Sequence, residues 1–212
     1  MSHPVKRPYD SSKRRLAAAR TRQAILDAAL ELFTGSGYAA TPMTAIAQRA
    51  GVALDTVYAA VGRKPELARL LIETAISGRS DAVPAEERDY VQAIRAAADA
   101  ETKIAVYAAA MRGIAGRLAP VLPIIQQAAP AEPELAALWR QIADRRAANM
   151  RQFAADLAAV APLWVALDDA ADIIWATNSP ELYQLLVTQR GWSPERYERF
   201  LADSWRRLLL AG

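Results

Sequence analysis

The residues with the clearest chemical pattern lie between Met43 and Tyr58. Ala47 lies four residues before Gly51, and Val57 lies six residues after it. A small residue at 47 lets two helices touch, a glycine at 51 can turn with positive φ, and an apolar residue at 57 fills the corner between the helices. This spacing is typical of paired helices that read DNA. It predicts sequence-specific DNA binding.

The outward face of the second of these helices begins with Leu54, Asp55 and Thr56. Base edges in the major groove present hydrogen-bonding groups and thymine methyls. Thr56 therefore suits a base or a phosphate, and Leu54 suits a thymine methyl. Asp55 suits either a cytosine or the electropositive start of its own helix, and we favour the second role.

Basic residues are concentrated near the N-terminus. Residues 1–70 carry eleven basic and five acidic side chains, whereas residues 71–212 carry 15 basic and 18 acidic ones. Residues 1–20 lack apolar periodicity, which predicts a flexible basic arm. Within this arm Arg14, Arg15 and Arg20 are candidates for DNA backbone or minor-groove contacts. The alternative is a solubilising tail.

The spacing of apolar residues predicts the helices that position these side chains. A first helix begins at Thr21, and Gly35 with Gly37 ends it. Thr41 then caps a second helix that has Pro42 in its first turn and ends at Ala50. A third helix spans about 54–60, and a fourth follows residues 62–65. We expect a DNA-binding domain over 21–67 and a second domain over 68–212.

The second domain shows no strand-like alternation, so the chain is predicted to be all-α. A long helix is predicted over 133–160. Two helices close the chain at about 167–190, with a break near 178–180, and at 194–210. These last two carry much bulky apolar surface, which favours a symmetric dimer interface over the alternative of ordinary monomer core. The candidate interface residues are Trp175, Tyr183, Leu186, Tyr197, Phe200, Leu201 and Trp205.

The middle helices supply candidates for a ligand cavity. Apolar and aromatic side chains there favour a hydrophobic or aromatic small molecule, and the alternative for each of them is a place in the core. The candidates are Tyr107, Met111, Trp139, Met150, Phe153 and Trp164.

Composition narrows the remaining function classes. With 53% hydrophobic and 23% charged residues, the sequence is typical of a globular protein. It has no cysteine, and its one histidine, His3, lies in the predicted arm. We therefore expect no thiol chemistry, no cofactor and no metal centre. No apolar run approaches the ~18 residues of a membrane span, and we expect a cytoplasmic protein without a membrane partner.

Several short motifs, taken together in their order and spacing, resemble those of the TetR family of bacterial transcriptional regulators. The resemblance covers about fifty residues, from Arg22 to Leu71. The matching motifs are Ala28-Ala29, Leu32-Phe33, Gly37-Tyr38, Ile46-Ala47, Ala50-Gly51-Val52, Thr56-Val57-Tyr58 and Lys64-Pro65-Glu66-Leu67.

The resemblance implies a homodimer that binds a palindromic operator, acts by family default as a repressor and is released by a small effector. It places phosphate contacts on Thr44, Tyr58 and Lys64, and Arg49 is a further candidate. The chain departs from the family pattern where a capping serine is usual, since residue 53 is Ala53. It departs also at Val61 and Pro42.

Two other function classes compete with this interpretation. The segment from Asp168 to Asp172 contains three carboxylates, an arrangement that suits a magnesium-dependent prenyl-diphosphate enzyme. There is no second acidic cluster, so we expect no enzyme. A helical adaptor that binds acidic proteins through the basic arm is the other alternative, but it leaves the spacing around Gly51 unexplained.

Overall fold

The fold is described from a computed structural model over residues 11–78 and 83–211. Within these residues the ordered elements are helices, and the only pairing of strand type is an isolated bridge between Leu163 and Leu210. The chain divides into two compact units, with the boundary between Leu67 and Ala68. The all-α prediction is confirmed.

The first unit consists of three helices and the start of a fourth. They are α1 (Ser11–Ser36), α2 (Met43–Ala50), α3 (Leu54–Val61) and α4 (Lys64–Ser77), and α1, α2 and α3 pack against one another. Their apolar faces form a small core that includes Ile25, Phe33, Ile46 and Val57, none of which is more than 1% exposed. Burial of these side chains holds the short helices α2 and α3 together, because helices of eight residues are marginal alone.

The prediction of a flexible arm over 1–20 is wrong for residues 11–20, which form the first turns of α1. The reason is local, because the run Leu16-Ala17-Ala18-Ala19 has high helix propensity and continues directly into the buried part of the helix. Arg14, Arg15 and Arg20 are exposed on this helix. Residues 1–10 lie outside the described part of the chain.

Thr41 is not the helix cap that the sequence predicts. Pro42 occupies the N-cap position of α2, with φ −78° and ψ 155°, and no side chain caps this helix. The Thr41 hydroxyl donates instead to the carbonyl oxygen of Gly37 at 2.8 Å, with Leu32 O at 3.3 Å as a second acceptor. The buried side chain of Thr41 thus closes the loop between α1 and α2.

The turn at Gly51 has the predicted geometry. Gly51 has φ 68° and ψ 32°, in the left-handed region. The amide of Val52 donates to Ala47 O at 3.0 Å, and the amide of Gly51 donates to Gln48 O at 3.2 Å. These bonds satisfy the last carbonyl groups of α2, and the chain then enters α3. The paired-helix prediction is therefore confirmed.

Two glycines in this unit provide a matched test of backbone conformation. A methyl group added at Gly51 or at Gly35 meets no atom within 4 Å, so packing does not distinguish the two sites. Gly51→Ala is expected to destabilise the protein by about 1–2 kcal/mol, because alanine is strained in the left-handed region. Gly35→Ala is expected to stabilise it by about 0.5–1 kcal/mol, because position 35 is helical. Urea unfolding followed by circular dichroism measures the change in the free energy of unfolding for each variant. If the two changes have the same sign, the assigned backbone conformations are wrong.

The second unit contains the rest of α4 and seven further α-helices within the described residues. A 3₁₀ turn (Ala85–Glu87) precedes α5 and a π-helical segment (Gln184–Gln189) follows α10. The α-helices are α5 (Asp89–Ala96), α6 (Ala100–Leu118), α7 (Leu122–Ala128), α8 (Pro133–Ala158), α9 (Leu167–Thr177), α10 (Pro180–Tyr183) and α11 (Pro194–Leu209).

Helix α6 packs against α5 and α11, and α8 packs against α9. Three rings from three helices form the centre of the unit. The ring centroid of Tyr107 lies 4.5 Å from that of Phe153 and 5.4 Å from that of Trp205. The indole Nε1–H of Trp205 donates to Thr177 Oγ1 at 2.7 Å, which satisfies its one polar group.

In the described residues, no single helix has the length and apolar character needed to cross a membrane. Helices α6 and α7 together meet the length and composition criterion, but they form a pair bent by 55°.

Candidate functional site

The outer surface of α3 carries the residues predicted to contact DNA. Thr56 and Asp55 are exposed and Tyr58 is 46% exposed, while Leu54 is half-buried. Val57 lies between these positions and is fully buried. Helical periodicity explains this arrangement. Val57 lies on the inner side of α3, where it anchors the helix, whereas its neighbours Thr56 and Tyr58 lie toward the outer side.

The N-terminus of α3 has no side-chain cap. Ala53 occupies the N-cap position, and its carbonyl accepts from the amides of Thr56 at 3.0 Å and Val57 at 3.2 Å. Asp55 is the acidic residue of the first turn, where a negative charge is favoured by the helix dipole. The electrostatic role of Asp55 stays a prediction.

Lys64 lies at the start of α4 and is held against the first unit. Its Nζ lies 4.3 Å from the ring centroid of Tyr38 and donates to Ala39 O at 3.3 Å. Beside it, the Glu66 carboxylate accepts from the backbone amide of Arg63 at 2.9 Å and from Arg63 Nη2 at 2.8 Å. The hydrogen bond from the Arg63 side chain lowers the pKa of Glu66. The ammonium of Lys64 is thus positioned by an aromatic ring and a carbonyl.

The other predicted phosphate contacts are on α2. Thr44 is exposed in its first turn. Arg49 is exposed in its last turn and forms an ion pair with Glu31, with Nη2 and Oε2 2.6 Å apart. Because both partners are more than half exposed, this surface pair is weak and can exchange for a phosphate.

The second unit contains a cavity of about 510 Å³, a size typical of small-molecule sites. Four of the six predicted ligand residues, Tyr107, Met111, Trp139 and Met150, line it. The other two do not. Phe153 is buried in the core against Tyr107 and Trp205, and Trp164 is 67% exposed at the surface.

A polar cluster forms one wall of this cavity. The Asn178 side chain is buried; its Nδ2 donates to the hydroxyl of Tyr107 at 3.2 Å and lies 2.8 Å from Met150 Sδ. Its Oδ1 accepts from Arg146 Nη2 at 2.8 Å. Burial raises the pKa of the Tyr107 hydroxyl far above its ordinary value, so this group stays neutral, and it donates to Met150 Sδ at 3.3 Å.

Charged residues of the cavity were missed by sequence reasoning, which selected only apolar and aromatic side chains. The lining includes Arg88, Arg145, Arg146 and Glu181. One signal was present in the sequence, because Arg146 interrupts an apolar stripe on α8. On that helix, side chains of positions 139, 142, 143, 146 and 150 all line the cavity. Charge within an apolar stripe indicates a paired or functional group.

The proposed dimer interface needs correction. Tyr183, Tyr197, Leu201 and Trp205 are buried within the second unit of a single chain, so their side chains are not available to a partner. Trp175 lines the cavity and is 38% exposed. Bulky apolar side chains at helical spacing indicate burial, but they do not indicate what covers them. Leu186 and Phe200 are half-buried, and they remain as candidates.

The acidic motif lies at the start of α9. Asp168 is exposed and accepts from Arg151 Nε at 2.7 Å. Within residues 11–78 and 83–211, no group of three histidine, cysteine or carboxylate side chains is placed to hold a metal ion.

Residues 25–69 match the family model described as bacterial regulatory proteins, tetR family. This match confirms the resemblance seen in the sequence motifs. No curated protein sequence matches the chain.

Several solved structures share the fold along most of the chain. The SmeT–triclosan complex has a TM-score of 0.69 at 19% identity, covering 90% of this chain and 92% of SmeT. NalD of Pseudomonas aeruginosa, the secondary repressor of the MexAB-OprM multidrug efflux pump, has a TM-score of 0.68 at 20% identity, covering 90% and 98%. A transcriptional regulator from Saccharomonospora viridis in complex with choline has a TM-score of 0.67 at 17% identity, covering 92% and 100%. At these identities the likeness concerns the fold.

Proposed function

We propose that this chain, whose residues 25–69 match the family model of the tetR family of bacterial regulatory proteins, is a ligand-responsive, sequence-specific DNA-binding regulator that acts by default as a repressor. It acts in the cytoplasm as a homodimer on a palindromic operator, and a small hydrophobic or aromatic effector releases it. The fold is shared with NalD and with the S. viridis regulator, which are a repressor and a transcriptional regulator, and this supports a regulator rather than an enzyme.

One observation carries the DNA-binding part of the proposal. The corner at Gly51 buries Val57 and leaves Thr56 and Tyr58 on the outer surface of α3. An exposed helix of this kind, anchored by its inner face, suits insertion into a major groove. Its polar and apolar side chains suit base edges and phosphates.

A binding assay with the DNA that flanks the chain's own gene tests this proposal. We expect retention of a segment with two matched half-sites whose centres lie about one helical turn or a little more apart. Scrambling either half-site is expected to weaken binding. Equal affinity for the scrambled segment contradicts sequence-specific recognition, and binding of acidic proteins in its place supports the adaptor alternative.

Neutralising Lys64 is expected to weaken binding to every DNA sequence alike. A phosphate contact contributes one released counterion, so Lys64→Gln is expected to make the negative slope of log affinity against log salt shallower by about one. Fluorescence anisotropy of labelled operator over a series of salt concentrations measures this slope.

Lys64→Arg is the matched control, because it keeps the charge beside Tyr38 and is expected to keep the slope. Since Lys64 also contacts Tyr38 and Ala39, circular dichroism of both variants is needed to show that the first unit is intact. An intact Lys64→Gln variant with an unchanged slope removes Lys64 from the phosphate contacts.

The effector part of the proposal depends on α4. This helix begins at Lys64, a candidate phosphate contact, and carries Ile72 and Ile76, which line the cavity. A ligand that displaces these two side chains therefore acts on the helix that begins with Lys64. The ligand complexes of SmeT and of the S. viridis regulator support a small-molecule effector for a chain of this fold.

The dimer is proposed to use the exposed surface of α11 and the π-helical segment, with Phe200 and Leu186 as its candidate contacts. Leu185, which is 50% exposed, lies beside Leu186 and extends this apolar surface. Sedimentation equilibrium tests the proposal. A Phe200→Glu variant is expected to shift the population toward monomer, because a charge at the centre of an apolar interface has no partner.

A further inference from the structure

One guanidinium in the cavity of the second unit, that of Arg146, forms no ion pair within 4 Å in the described part of the chain; the carboxylate of Glu181 acts on it only from a longer distance. Nη2 of Arg146 donates to the carbonyl oxygen of Trp175 and, at 2.8 Å, to Asn178 Oδ1. Within the described residues, no acceptor bonds its Nε or Nη1, and no carboxylate forms an ion pair with it. Three of its five N–H groups therefore lack an acceptor from the described part of the chain.

The surroundings of Arg146 hold this group in place within a largely apolar site. The centre of its guanidinium lies 4.5 Å from the ring centroid of Trp175, and the two contacts of Nη2 restrict its rotation further. Burial lowers the pKa of Arg146, yet an arginine side chain stays protonated in a protein. The cavity wall therefore carries a fixed positive charge.

The other charges of the lining leave a positive excess. Arg145 is matched by Glu73, with Nη2 and Oε1 2.8 Å apart. Arg88 donates to the carbonyl oxygen of Val83 at 3.2 Å. Glu181 is the one carboxylate in the lining, and it accepts from Gln126 Nε2 at 2.7 Å. The lining thus holds Arg88 and Arg146 against the single carboxylate of Glu181, which leaves an excess of one positive charge.

The rest of the lining suits an aromatic body. The rings of Tyr90 and Tyr107 are stacked with their centroids 6.0 Å apart, and Trp139, Met111 and Ile114 add apolar surface. A partly buried cation stabilises a ligand that brings the missing negative charge into such a site. One unmatched guanidinium suits a single carboxylate, because a doubly charged phosphate needs more donors than Arg146 leaves open.

We propose that the cavity binds an aromatic monocarboxylate whose carboxylate oxygens accept from the Nε–H or Nη1–H groups of Arg146 while its ring lies among Tyr90, Trp139 and Met111. The inference rests on the proposed function, because it names the chemical class of the effector for the cavity described above. The proposal therefore predicts that the cavity prefers this anion over neutral or cationic ligands of similar size.

Isothermal titration calorimetry with two probes of one shape tests the proposal. The probes are 2-naphthoate and its neutral amide, 2-naphthamide. We expect the full-length protein to bind the acid roughly 10- to 100-fold more tightly than the amide, because hydrogen bonds between charged groups are about that much stronger. Arg146→Gln is expected to remove this preference by weakening the acid and leaving the amide unchanged.

Two further variants control for folding and for net charge. Arg146→Lys keeps the positive charge and is expected to keep part of the preference for the acid, which a purely structural role of Arg146 does not predict. Arg140→Gln removes the same charge from an exposed position on α8 outside the cavity, and we expect no change in either affinity. Thermal unfolding of each variant shows whether the second unit is intact.

Three results overturn the assignment. They are equal affinity for acid and amide, a preference that survives in an intact Arg146→Gln variant, and no saturable binding of the acid at millimolar concentration.

An operator-binding assay distinguishes failure of this assignment from failure of the proposed function. If the amide releases the operator as well as the acid does, the regulator stands and the anion site fails. If the chain binds no operator but keeps the preference that depends on Arg146, the regulator fails and the anion site stands.

Discussion

Replacing Trp205 with alanine is expected to lower the free energy of unfolding by about 3–5 kcal/mol. Trp205 is fully buried and has the largest side chain among the fully buried residues of the described chain. Its removal leaves a hole beside Tyr107 and Phe153, whose ring centroids lie 5.4 and 6.0 Å away. It also deprives the Thr177 hydroxyl of the indole donor at 2.7 Å. Urea unfolding followed by far-ultraviolet circular dichroism measures the loss.

Trp164→Ala is the matched control for this prediction. Trp164 is 67% exposed, and its backbone amide, which the substitution retains, donates to Leu209 O at 2.9 Å. Loss of an exposed side chain changes stability by only about 0.5 kcal/mol. If the two tryptophan variants unfold at the same urea concentration, the assignment of Trp205 to the core is wrong.

Replacing Val57 with aspartate is expected to destabilise the first unit by about 3–5 kcal/mol, because it buries a carboxylate without a partner. Val57 is fully buried where α3 packs against α1 and α2. Without this anchor α3 no longer holds Thr56 and Tyr58 in place, and operator affinity is expected to fall at least about 100-fold. Fluorescence anisotropy of labelled operator measures affinity, and urea unfolding measures stability.

Gln48→Asp tests whether burial or charge causes the effect at Val57. Gln48 is exposed on α2, so the same added charge is solvated there, and stability is expected to change by only about 0.5 kcal/mol. Its effect on DNA binding is expected to be electrostatic and to diminish in salt. Equal destabilisation by the two substitutions contradicts the anchoring role of Val57.

Local sequence signals predicted the paired helices well. The turn at Gly51 depends on contacts between residues four to six positions apart, which the spacing of Ala47, Gly51 and Val57 records directly. Two later helices also carry a local start signal in the sequence, a serine followed by a proline. Ser179 and Ser193 each cap a helix whose first residue is proline, accepting from Leu182 N at 3.1 Å and Arg196 N at 3.2 Å.

Other local predictions failed because competing signals were present. Residues 11–20 are polar and basic, which favours disorder, but the alanine run within them favours helix, and the helix prevails because it continues into the buried part of α1. Thr41 precedes a helix and is followed by proline, which favours capping. Its hydroxyl instead bonds the carbonyl oxygens of Gly37 and Leu32, since the side chain is buried there.

The amino-acid sequence by itself determined the helical class and the corner at Gly51, because both depend on interactions between residues close together in the chain. Only the tertiary structure decided which bulky side chains became core, which formed the cavity and which remained at the surface. Trp205, Trp164 and Trp139 are equally apolar in the sequence, yet they lie in the core, at the surface and in the cavity wall. The physical reason is that burial depends on packing between distant helices. The same packing brings Arg146 beside Asn178 and Trp175, which lie about thirty residues away in the chain.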